Sequence, residues 1–323
     1  AQSERLTMAV VPQSGEVRLV VPQLEAPLVD VLGDLFEVVA WGETTDPIAL
    51  VSGFVGPAKT AAIGDHTWAR FVLGLQELSP GLRLRPASSL LADLRMIKDD
   101  DEISMLRQAG AAADTVSAAL AGERFSGRTE LEVARSIAEA TVAAGHETAE
   151  FTIVASGPNG ASPHHHPGDR AMARGDVVVV DFGGTMSGYH SDTTRTYAVG
   201  EPGADVAAAF DVLFEAQRVG RHAAQVGVAA AKVDAETRAV IDDAGYGEYF
   251  IHRTGHGIGL EVHEEPYLVE GNDVVLQHGM AFSIEPGIYV PGQWGMRIED
   301  IVVATDIGPE ALNNAERSLV VVG

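Results

Sequence analysis

The sequence predicts an α+β protein with two domains, an N-terminal α/β domain over residues 1–95 and a larger domain over 96–323. Three observations lead to this prediction. With 323 residues, the chain is longer than most single domains. Strand and helix patterns alternate in its first third. The remainder contains one series of helical, strand and glycine patterns twice, which predicts a pseudo-two-fold repeat and a site to which both copies contribute residues.

The composition indicates a globular protein with an acidic surface. Asp and Glu number 46 against 22 Lys and Arg, which gives a formal net charge of −24. Such a surface repels nucleic acid and anionic lipid, so neither is expected as a partner. No run of about 18 consecutive apolar residues occurs, so no membrane-spanning helix is expected. The absence of cysteine excludes disulfides and thiolate metal sites and fits a cytoplasmic location.

The first domain begins with a predicted strand pair. Residues 6–22 have the pattern of two strands joined by a turn around Ser14 and Gly15. Strand and helix patterns then alternate through FEVVAWGE, DPIALVSGF and TWARFVLGLQELSPG. The domain boundary is placed at 95–97, just before the acidic run 99–102. Because the helix dipole stabilises acids at a helix N-terminus, this run predicts the start of a helix and not a binding site.

The second domain contains the repeat. Each copy consists of two helical patterns followed by strand patterns, and the helical patterns cover 98–121, 129–144, 204–225 and about 234–244. In the first copy Gly175 precedes Asp181 by six residues, and in the second copy Gly279 precedes Glu285 by six residues. The two acids therefore occupy equivalent places, each at the end of an apolar strand.

The segment GDVVVVDFGGTMSGYHSDTTRTY, residues 175–197, carries two acids in an unusual position. Four valines predict a buried strand that ends at Asp181, and a second strand pattern carries Asp192 after a Gly-rich turn. If the turn is centred near Met186 and Ser187, the two acids lie opposite each other, where carboxylates about 5 Å apart repel. An acid at the end of an apolar strand is costly unless a cation or strong hydrogen-bond donors compensate it.

Five metal-ligand candidates lie at strand ends or in Gly-rich turns: Asp181, Asp192, His256, Glu285 and Glu299. Four carboxylates need more than one positive charge, and carboxylates with one imidazole suit Mn²⁺, Co²⁺, Fe²⁺ or Zn²⁺. Two such ions, about 3.5–4 Å apart, leave room for a bridging water or hydroxide. Considered singly, each residue has a structural alternative, because Asp192 could cap a turn, Glu299 could pair with Arg297, and His256 could be an ordinary loop histidine.

The sequence resembles the pita-bread metallopeptidases, and within them the Xaa-Pro dipeptidase (prolidase) and Xaa-Pro aminopeptidase branch. The motifs that carry the resemblance are DFGG, SDTTRT, GHGIGLEVHEEP, IEPGIY and RIED. The resemblance implies a creatinase-like N-terminal α/β domain followed by a pita-bread domain with an internal pseudo-two-fold repeat. It also implies that Asp192 and Glu299 bridge two divalent ions, that Asp181 binds one of them, and that His256 and Glu285 bind the other. Mn²⁺ is the expected metal, with Co²⁺, Zn²⁺ or Fe²⁺ as alternatives.

The reaction implied by the resemblance is hydrolysis of the Xaa-Pro bond at the N-terminus of dipeptides or short peptides. A metal-bridging hydroxide attacks the carbonyl carbon of Xaa, and Glu285 handles the proton. The family pattern adds Tyr289 as a group that stacks on the substrate or hydrogen-bonds to it. It also adds Arg297 as a catalytic-site group that orients an acid or the substrate carboxylate.

Two further histidines are expected to hold the substrate carbonyl and move a proton. His263 follows His256 by seven residues, as the family pattern requires. The other histidine lies in SGPNGASPHHHP, where its spacing from SG and the preceding proline select His164. His165 and His166 remain alternatives.

Three related classes are the alternatives to this interpretation. A methionine aminopeptidase shares the five ligands but lacks the N-terminal domain, whereas creatinase and the non-catalytic pita-bread binding modules do not keep the ligands. The presence of all five favours a metallo-exopeptidase. The resemblance further implies a homodimer. Because the first third is shorter than in the family, we expect the natural chain to begin before this sequence.

Overall fold

The structure is a computed structural model that describes residues 4–29 and 35–323. The chain divides into two compact units, Ala1–Leu91 and Ala92–Gly323. The sequence predicts a boundary at 95–97, and the units divide within helix α4 (Ser88–Met96). Helices and strands occur in both units, as the predicted α+β class requires. Within the described ranges, every helix is too short or too polar to span a bilayer.

The first unit has two small sheets and short helices. Its elements are β1 (Met8–Val10), β2 (Arg18–Pro22), α1 (Ala26–Val29), β3 (Glu37–Trp41), α2 (Pro47–Val55), β4 (Thr60–Ile63), α3 (Ala69–Leu78) and β5 (Arg83–Pro86). The predicted strand pair in 6–22 is confirmed, because β1 and β2 are antiparallel. Strands β2 and β3 are parallel, as are β4 and β5, which the sequence did not predict. The core of this unit includes Leu6, Val20, Trp41 and Leu75.

The second unit contains the four predicted long helices. They are α5 (Asp100–Leu120), α6 (Glu130–Ala143), α7 (Ala204–Ala223) and α8 (Ala230–Asp243). The acidic run begins α5 as predicted, because the Asp99 side chain accepts a hydrogen bond from the Glu102 N–H and the Glu102 side chain accepts one from the Asp99 N–H. Helix α8 begins about one turn earlier than predicted, because the Ala230 N–H is held by the carbonyl of Val274.

The strands of the second unit form two larger sheets and a separate hairpin. They are β6 (Thr148–Ser156), β7 (Val177–Met186), β8 (Tyr189–His190), β9 (Thr193–Val199), β10 (Gly255–Gly257), β11 (Glu264–Leu268), β12 (Ala281–Ile284), β13 (Gly287–Val290), β14 (Trp294–Arg297), β15 (Asp300–Val303), β16 (Glu310–Ala311) and β17 (Val320–Val322). One sheet has the order β17-β9-β7-β6, with β8 paired to β7, and the other has the order β11-β10-β12-β15-β16. Strands β13 and β14 form the hairpin.

The repeat is visible in the equivalent roles of β7 and β12. Each is a central, fully paired strand that follows a glycine with positive φ, Gly175 at 94° and Gly279 at 86°. A positive φ at these turns strains any residue with a Cβ, so glycine directs the chain into each strand. Val178 on β7 packs in one core cluster with residues of α5 and α6, and Phe282 on β12 packs in another with residues of α8. Each such buried side chain contributes about 1.5–3 kcal/mol.

The register between β7 and β9 differs from the prediction. Asp181 pairs with Thr194 and not with Asp192, because the turn is formed by Ser187 and Gly188. Both turn residues have positive φ, 52° and 79°, which is typical of a two-residue type I′ hairpin. The predicted turn was one residue too early, which shifts the pairing by two residues. Side chains of a strand alternate between its two faces with a period of two, so a shift of two residues does not change the face on which a side chain lies. Asp192 and Asp181 therefore lie on the same face of the sheet, as predicted.

Candidate metal centre

The structure brings the five predicted ligands together from different elements of the second unit. Asp181 lies in β7, Asp192 precedes β9, His256 is the middle residue of β10, Glu285 follows β12, and Glu299 lies between β14 and β15. The two sheets meet beside this cluster, where Thr194 and Glu299 form an antiparallel bridge. Strand ends from both copies of the repeat therefore supply the acids.

The five predicted ligands form two groups that share Glu299, and a third group joins Asp192 and His256 to His263. His256, Glu285 and Glu299 make one group, and Asp181, Asp192 and Glu299 make the other, with the ligand atoms of each group within 4.8 Å of one another. His256 Nε2 lies 3.3 Å from Glu285 Oε1 and 4.0 Å from Glu299 Oε1. Two overlapping groups with a common carboxylate are the arrangement that two neighbouring ions require.

The protein alone disfavours ionisation of three acids of the cluster, Asp192, Glu285 and Glu299. Burial, and then the negative charge of neighbouring carboxylates, raise the pKa of Asp192 and of Glu299 well above their ordinary values. Burial raises the pKa of Glu285 to about 7. Among the described residues, the buried oxygens Asp181 Oδ1 and Glu299 Oε1 have no hydrogen-bond partner. Divalent cations would satisfy these oxygens and reverse the pKa shifts, so the donor set fits a pair of hard or borderline metal ions.

His256 is oriented for metal binding. Its Nδ1 hydrogen-bonds to the carbonyl of Gly257 at 3.1 Å, which directs Nε2 to the acids. Burial, together with the charge of His263, lowers the pKa of His256 to about 3, so the ring is neutral and can act as a ligand. The Ser283 hydroxyl accepts a hydrogen bond from the His256 N–H and donates one to Glu285 Oε1, both at 3.0 Å. These contacts do not fit the alternative of an ordinary loop histidine.

Arg297 orients Asp181, which is one of the two roles considered for it. Its Nη2 donates to Asp181 Oδ2 at 2.5 Å and its Nη1 donates to the Tyr289 hydroxyl at 2.8 Å. Its Nε donates to the Thr194 hydroxyl, which donates in turn to Glu299 Oε2 at 2.7 Å. The alternative pairing of Arg297 with Glu299 is not observed. Tyr289 is buried, and its hydroxyl accepts the hydrogen bond from Arg297.

Three contributing residues were missed by the sequence reasoning: Thr194, His252 and Ser283. Thr194 stands in the SDTTRT motif two residues after a proposed ligand, and Ser283 stands in SIEPG two residues before one, so the motifs offered a signal. His252 gave no such signal, although its Nε2 hydrogen-bonds to the Tyr289 hydroxyl at 2.9 Å. Burial, with the charge of Arg297, lowers the pKa of His252 to about 3.

The additional histidines take different positions. The rings of His256 and His263 meet edge to face, with centroids 4.1 Å apart. In the histidine run, His165 Nε2 donates to the buried carboxylate of Glu130 at 2.8 Å. His164 is exposed, and it is one of the groups that lower the pKa of His263. The preceding residue, Pro163, accepts a hydrogen bond from Arg297 at 3.5 Å, which places this loop against the cluster. His166 is exposed.

Similar proteins support a peptidase interpretation. Residues 104–306 match the model of metallopeptidase family M24. The chain is 50% identical over 324 residues to the probable dipeptidase PepE of Mycobacterium bovis, covering 99% of this chain and 86% of that protein. It is 39% identical over 249 residues to the Xaa-Pro dipeptidase of Pyrococcus furiosus, covering 77% of this chain and 72% of that protein. The structure of a prolidase from Thermococcus sibiricus matches with a TM-score of 0.94 and 38% identity, covering 99% of this chain and 88% of that one. The predicted fold class, an N-terminal domain followed by a pita-bread domain, is confirmed by this match.

Proposed function

The chain belongs to metallopeptidase family M24, and on this basis we propose that it is a two-metal exopeptidase that hydrolyses the Xaa-Pro bond at the N-terminus of dipeptides or short peptides. The observation that carries the proposal is the pair of ligand groups that share Glu299. The names of two relatives, an Xaa-Pro dipeptidase and a prolidase, support the choice of bond. An Xaa-Pro bond is a tertiary amide without an N–H, so its hydrolysis needs a dedicated site.

The proposed metal ligands are Asp181, Asp192, His256, Glu285 and Glu299. We propose Mn²⁺ as the metal, with Co²⁺, Zn²⁺ or Fe²⁺ as alternatives that the same donors accept. When bound, such ions supply a water of lowered pKa and Lewis-acid polarisation of the scissile carbonyl. The protein contributes the orientation of the ligands, because Arg297 fixes one oxygen of Asp181 and Thr194 fixes one oxygen of Glu299, which leaves the other oxygen of each for the ion.

Glu285 is the proposed proton-handling carboxylate. Its Oε1 is held by Ser283, which leaves Oε2 to accept a proton from the attacking water. Burial, with the positive charge of Arg253, lowers the pKa of His263, so its imidazole is neutral near pH 7. A neutral imidazole can donate its N–H to the oxygen on which negative charge develops. His164, whose neighbour Pro163 accepts a hydrogen bond from Arg297, is proposed to hold the substrate carbonyl as well.

Hydrolysis of three peptides tests the proposed function. The purified protein is incubated with Mn²⁺ and either Ala-Pro, Ala-Pro-Ala or Met-Ala-Ser, and the released amino acids are quantified with and without a chelator. Hydrolysis of Ala-Pro that the chelator abolishes is the expected result. Hydrolysis of Met-Ala-Ser alone would instead indicate methionine removal. A folded protein that binds no metal and cleaves none of the peptides would be a binding module.

We also propose that the chain forms a homodimer and acts in the cytoplasm. The resemblance to the Xaa-Pro peptidase branch supports the dimer, and the lack of cysteine fits the location. Sedimentation equilibrium tests the dimer directly, because the chain has a mass of 34.0 kDa and a dimer has twice that mass. A single species at the mass of one chain would contradict it.

A further inference from the structure

We propose that Arg253 binds the C-terminal carboxylate of a dipeptide substrate and thereby makes the chain select dipeptides over longer peptides. This inference rests on the proposed function, because it assumes that an Xaa-Pro substrate occupies the metal centre. Arg253 lies in the loop before β10, three residues before His256, and is partly buried.

Among the described residues, no acid forms an ion pair with Arg253. In the part of the chain that the structure describes, no carboxylate oxygen lies within 4.0 Å of its guanidinium. The guanidinium instead lies over the ring of Tyr267, 4.4 Å from the ring centroid. The other arginines around the site are paired, Arg297 with Asp181 and Arg238 with Asp234. A partly buried guanidinium without a counter-ion favours the binding of an anion.

The position of Arg253 is suited to a substrate that reaches the metal centre. Tyr267, which supports the guanidinium, lies in β11 four residues after His263. Strand β11 begins directly after His263 and pairs with β10, which carries His256, so the contact with Tyr267 places the guanidinium against this strand pair.

The loop that carries Arg253 is fixed before any ligand binds. Arg238 on α8 donates to the carbonyls of Phe250 and His252, both at 2.8 Å. Asp234 on the same helix accepts a hydrogen bond from the Thr254 N–H at 3.1 Å. The backbone is therefore held on both sides of Arg253, and the ring of Tyr267 supports one face of the guanidinium. Such preorganisation lowers the entropy lost when the side chain binds a ligand.

The chemistry of the substrate identifies the anion. An Xaa-Pro dipeptide has one carboxylate, which the proline carries on the leaving side of the scissile bond, whereas a longer peptide has an uncharged amide at that place. A guanidinium recognises a carboxylate with two parallel, charge-assisted hydrogen bonds. Arg297 was the other candidate for this carboxylate, but its guanidinium is buried and is already bound to Asp181, Tyr289 and Thr194.

The test compares two substrates that differ only in this charge, Ala-Pro and its amide, alanyl-prolinamide. With Mn²⁺, the wild-type protein should cleave Ala-Pro more efficiently than the amide. Arg253→Gln should lower kcat/KM for Ala-Pro by about 10- to 100-fold, mainly through KM, which is the effect expected from losing charge-assisted hydrogen bonds. For the amide, the same variant should change kcat/KM by less than about threefold, since the amide offers no carboxylate to Arg253. Arg253→Lys keeps the charge and should retain part of the preference.

Arg218→Gln is the matched control, because Arg218 is an exposed arginine on α7 that is paired with Glu215. It should leave both substrates unaffected. Equal efficiency of the wild-type protein on Ala-Pro and the amide would overturn the inference, as would an equal loss on both substrates in Arg253→Gln. If that variant does not fold, Arg253→Lys decides in its place, because an ammonium cannot make both parallel hydrogen bonds and should reduce the preference for Ala-Pro over the amide; an unchanged preference would overturn the inference. Failure of the proposed function has a different result, because the metal-loaded wild-type protein would then cleave neither substrate.

Discussion

Replacing Glu130 by Gln is expected to loosen the loop that carries His164. Glu130 is the first residue of α6 and is fully buried. Its Oε1 accepts hydrogen bonds from the N–H and the hydroxyl of Ser156, at 2.8 and 2.7 Å. Its Oε2 accepts hydrogen bonds from His165 Nε2 at 2.8 Å and from the Gly168 N–H at 3.2 Å. The carboxylate therefore joins the end of β6 to the chain just after His164.

The size of the effect follows from the hydrogen bonds at Oε2. Gln keeps one carbonyl oxygen but puts an NH₂ group where the carboxylate accepts from His165 and Gly168. Hydrogen bonds to charged groups contribute about 1.5–3 kcal/mol each, and buried donors that face each other add a desolvation cost. We therefore expect the free energy of unfolding to fall by about 3–5 kcal/mol, out of the roughly 5–15 kcal/mol typical of native proteins.

The effect should also depend on pH. Burial opposes ionisation of Glu130, but hydrogen bonds from Ser156, Asn159 and His165 outweigh it and lower its pKa below the ordinary value of 4.5. Because the folded-state pKa is the lower one, the stabilisation is fully present above pH 4.5 and is lost as the pH falls through the folded-state value. The difference between wild-type and variant protein should therefore shrink in acid.

Urea unfolding monitored by circular dichroism measures both effects, and the rate of Ala-Pro hydrolysis shows whether the position of His164 matters. Glu139→Gln is the control, because Glu139 is exposed on the same helix and should stay within about 0.5 kcal/mol of wild type. A loss below about 1 kcal/mol at pH 7 would refute the reasoning, since it would mean that the two hydrogen bonds contribute little. A difference that grows as the pH is lowered would refute the assigned direction of the pKa shift.

Three further predictions concern the metal centre. Asp192→Asn should abolish turnover and lower the metal content measured by mass spectrometry. The control is Asp211→Asn, at an exposed position on α7, which should change neither turnover nor metal content. Full activity of Asp192→Asn with normal metal content would exclude Asp192 as a ligand. In protein treated with a chelator, Tm should fall as the pH rises from 4.5 to about 7. Burial raises the folded-state pKa of Glu285 to about 7, so in this pH range the folded state holds a proton that the unfolded state releases. A flat or rising Tm would contradict this. Arg297→Lys should lower kcat/KM for Ala-Pro by at least about tenfold, because an ammonium cannot reproduce the planar guanidinium that hydrogen-bonds to Asp181, Tyr289 and Thr194. An unchanged kcat/KM would show that a positive charge at position 297 is sufficient.

The proposed ligands could be identified from the sequence because each is a local feature. Asp181 and Glu285 end apolar strands six residues after equivalent glycines, and the structure repeats that spacing in β7 and β12. The capping of α5 was likewise readable, since it depends on residues three apart. Features of this kind can be predicted from the sequence because they depend only on residues within one short segment.

Partners from distant segments could not be identified in this way. Arg297 lies 116 residues from Asp181 in the sequence, and whether it pairs with that acid or with Glu299 depends on how two sheets meet. The register of β7 and β9 depended on which two residues form the turn, a choice between neighbouring candidates in GGTMSGYH. The choice within the histidine run likewise depended on a distant group, because the buried Glu130 binds His165.

The charges of the centre favour the proposed pair of cations and a substrate that ends in a carboxylate. Four ionised carboxylates and Arg297 carry a net charge of minus three in a buried site. One divalent ion leaves the site negative, so the acids continue to repel one another, whereas two ions leave one positive charge. A centre that is no longer negative does not repel the carboxylate of the substrate. In its proposed role, Arg253, whose guanidinium lies against the ring of Tyr267, adds the positive charge that attracts this carboxylate.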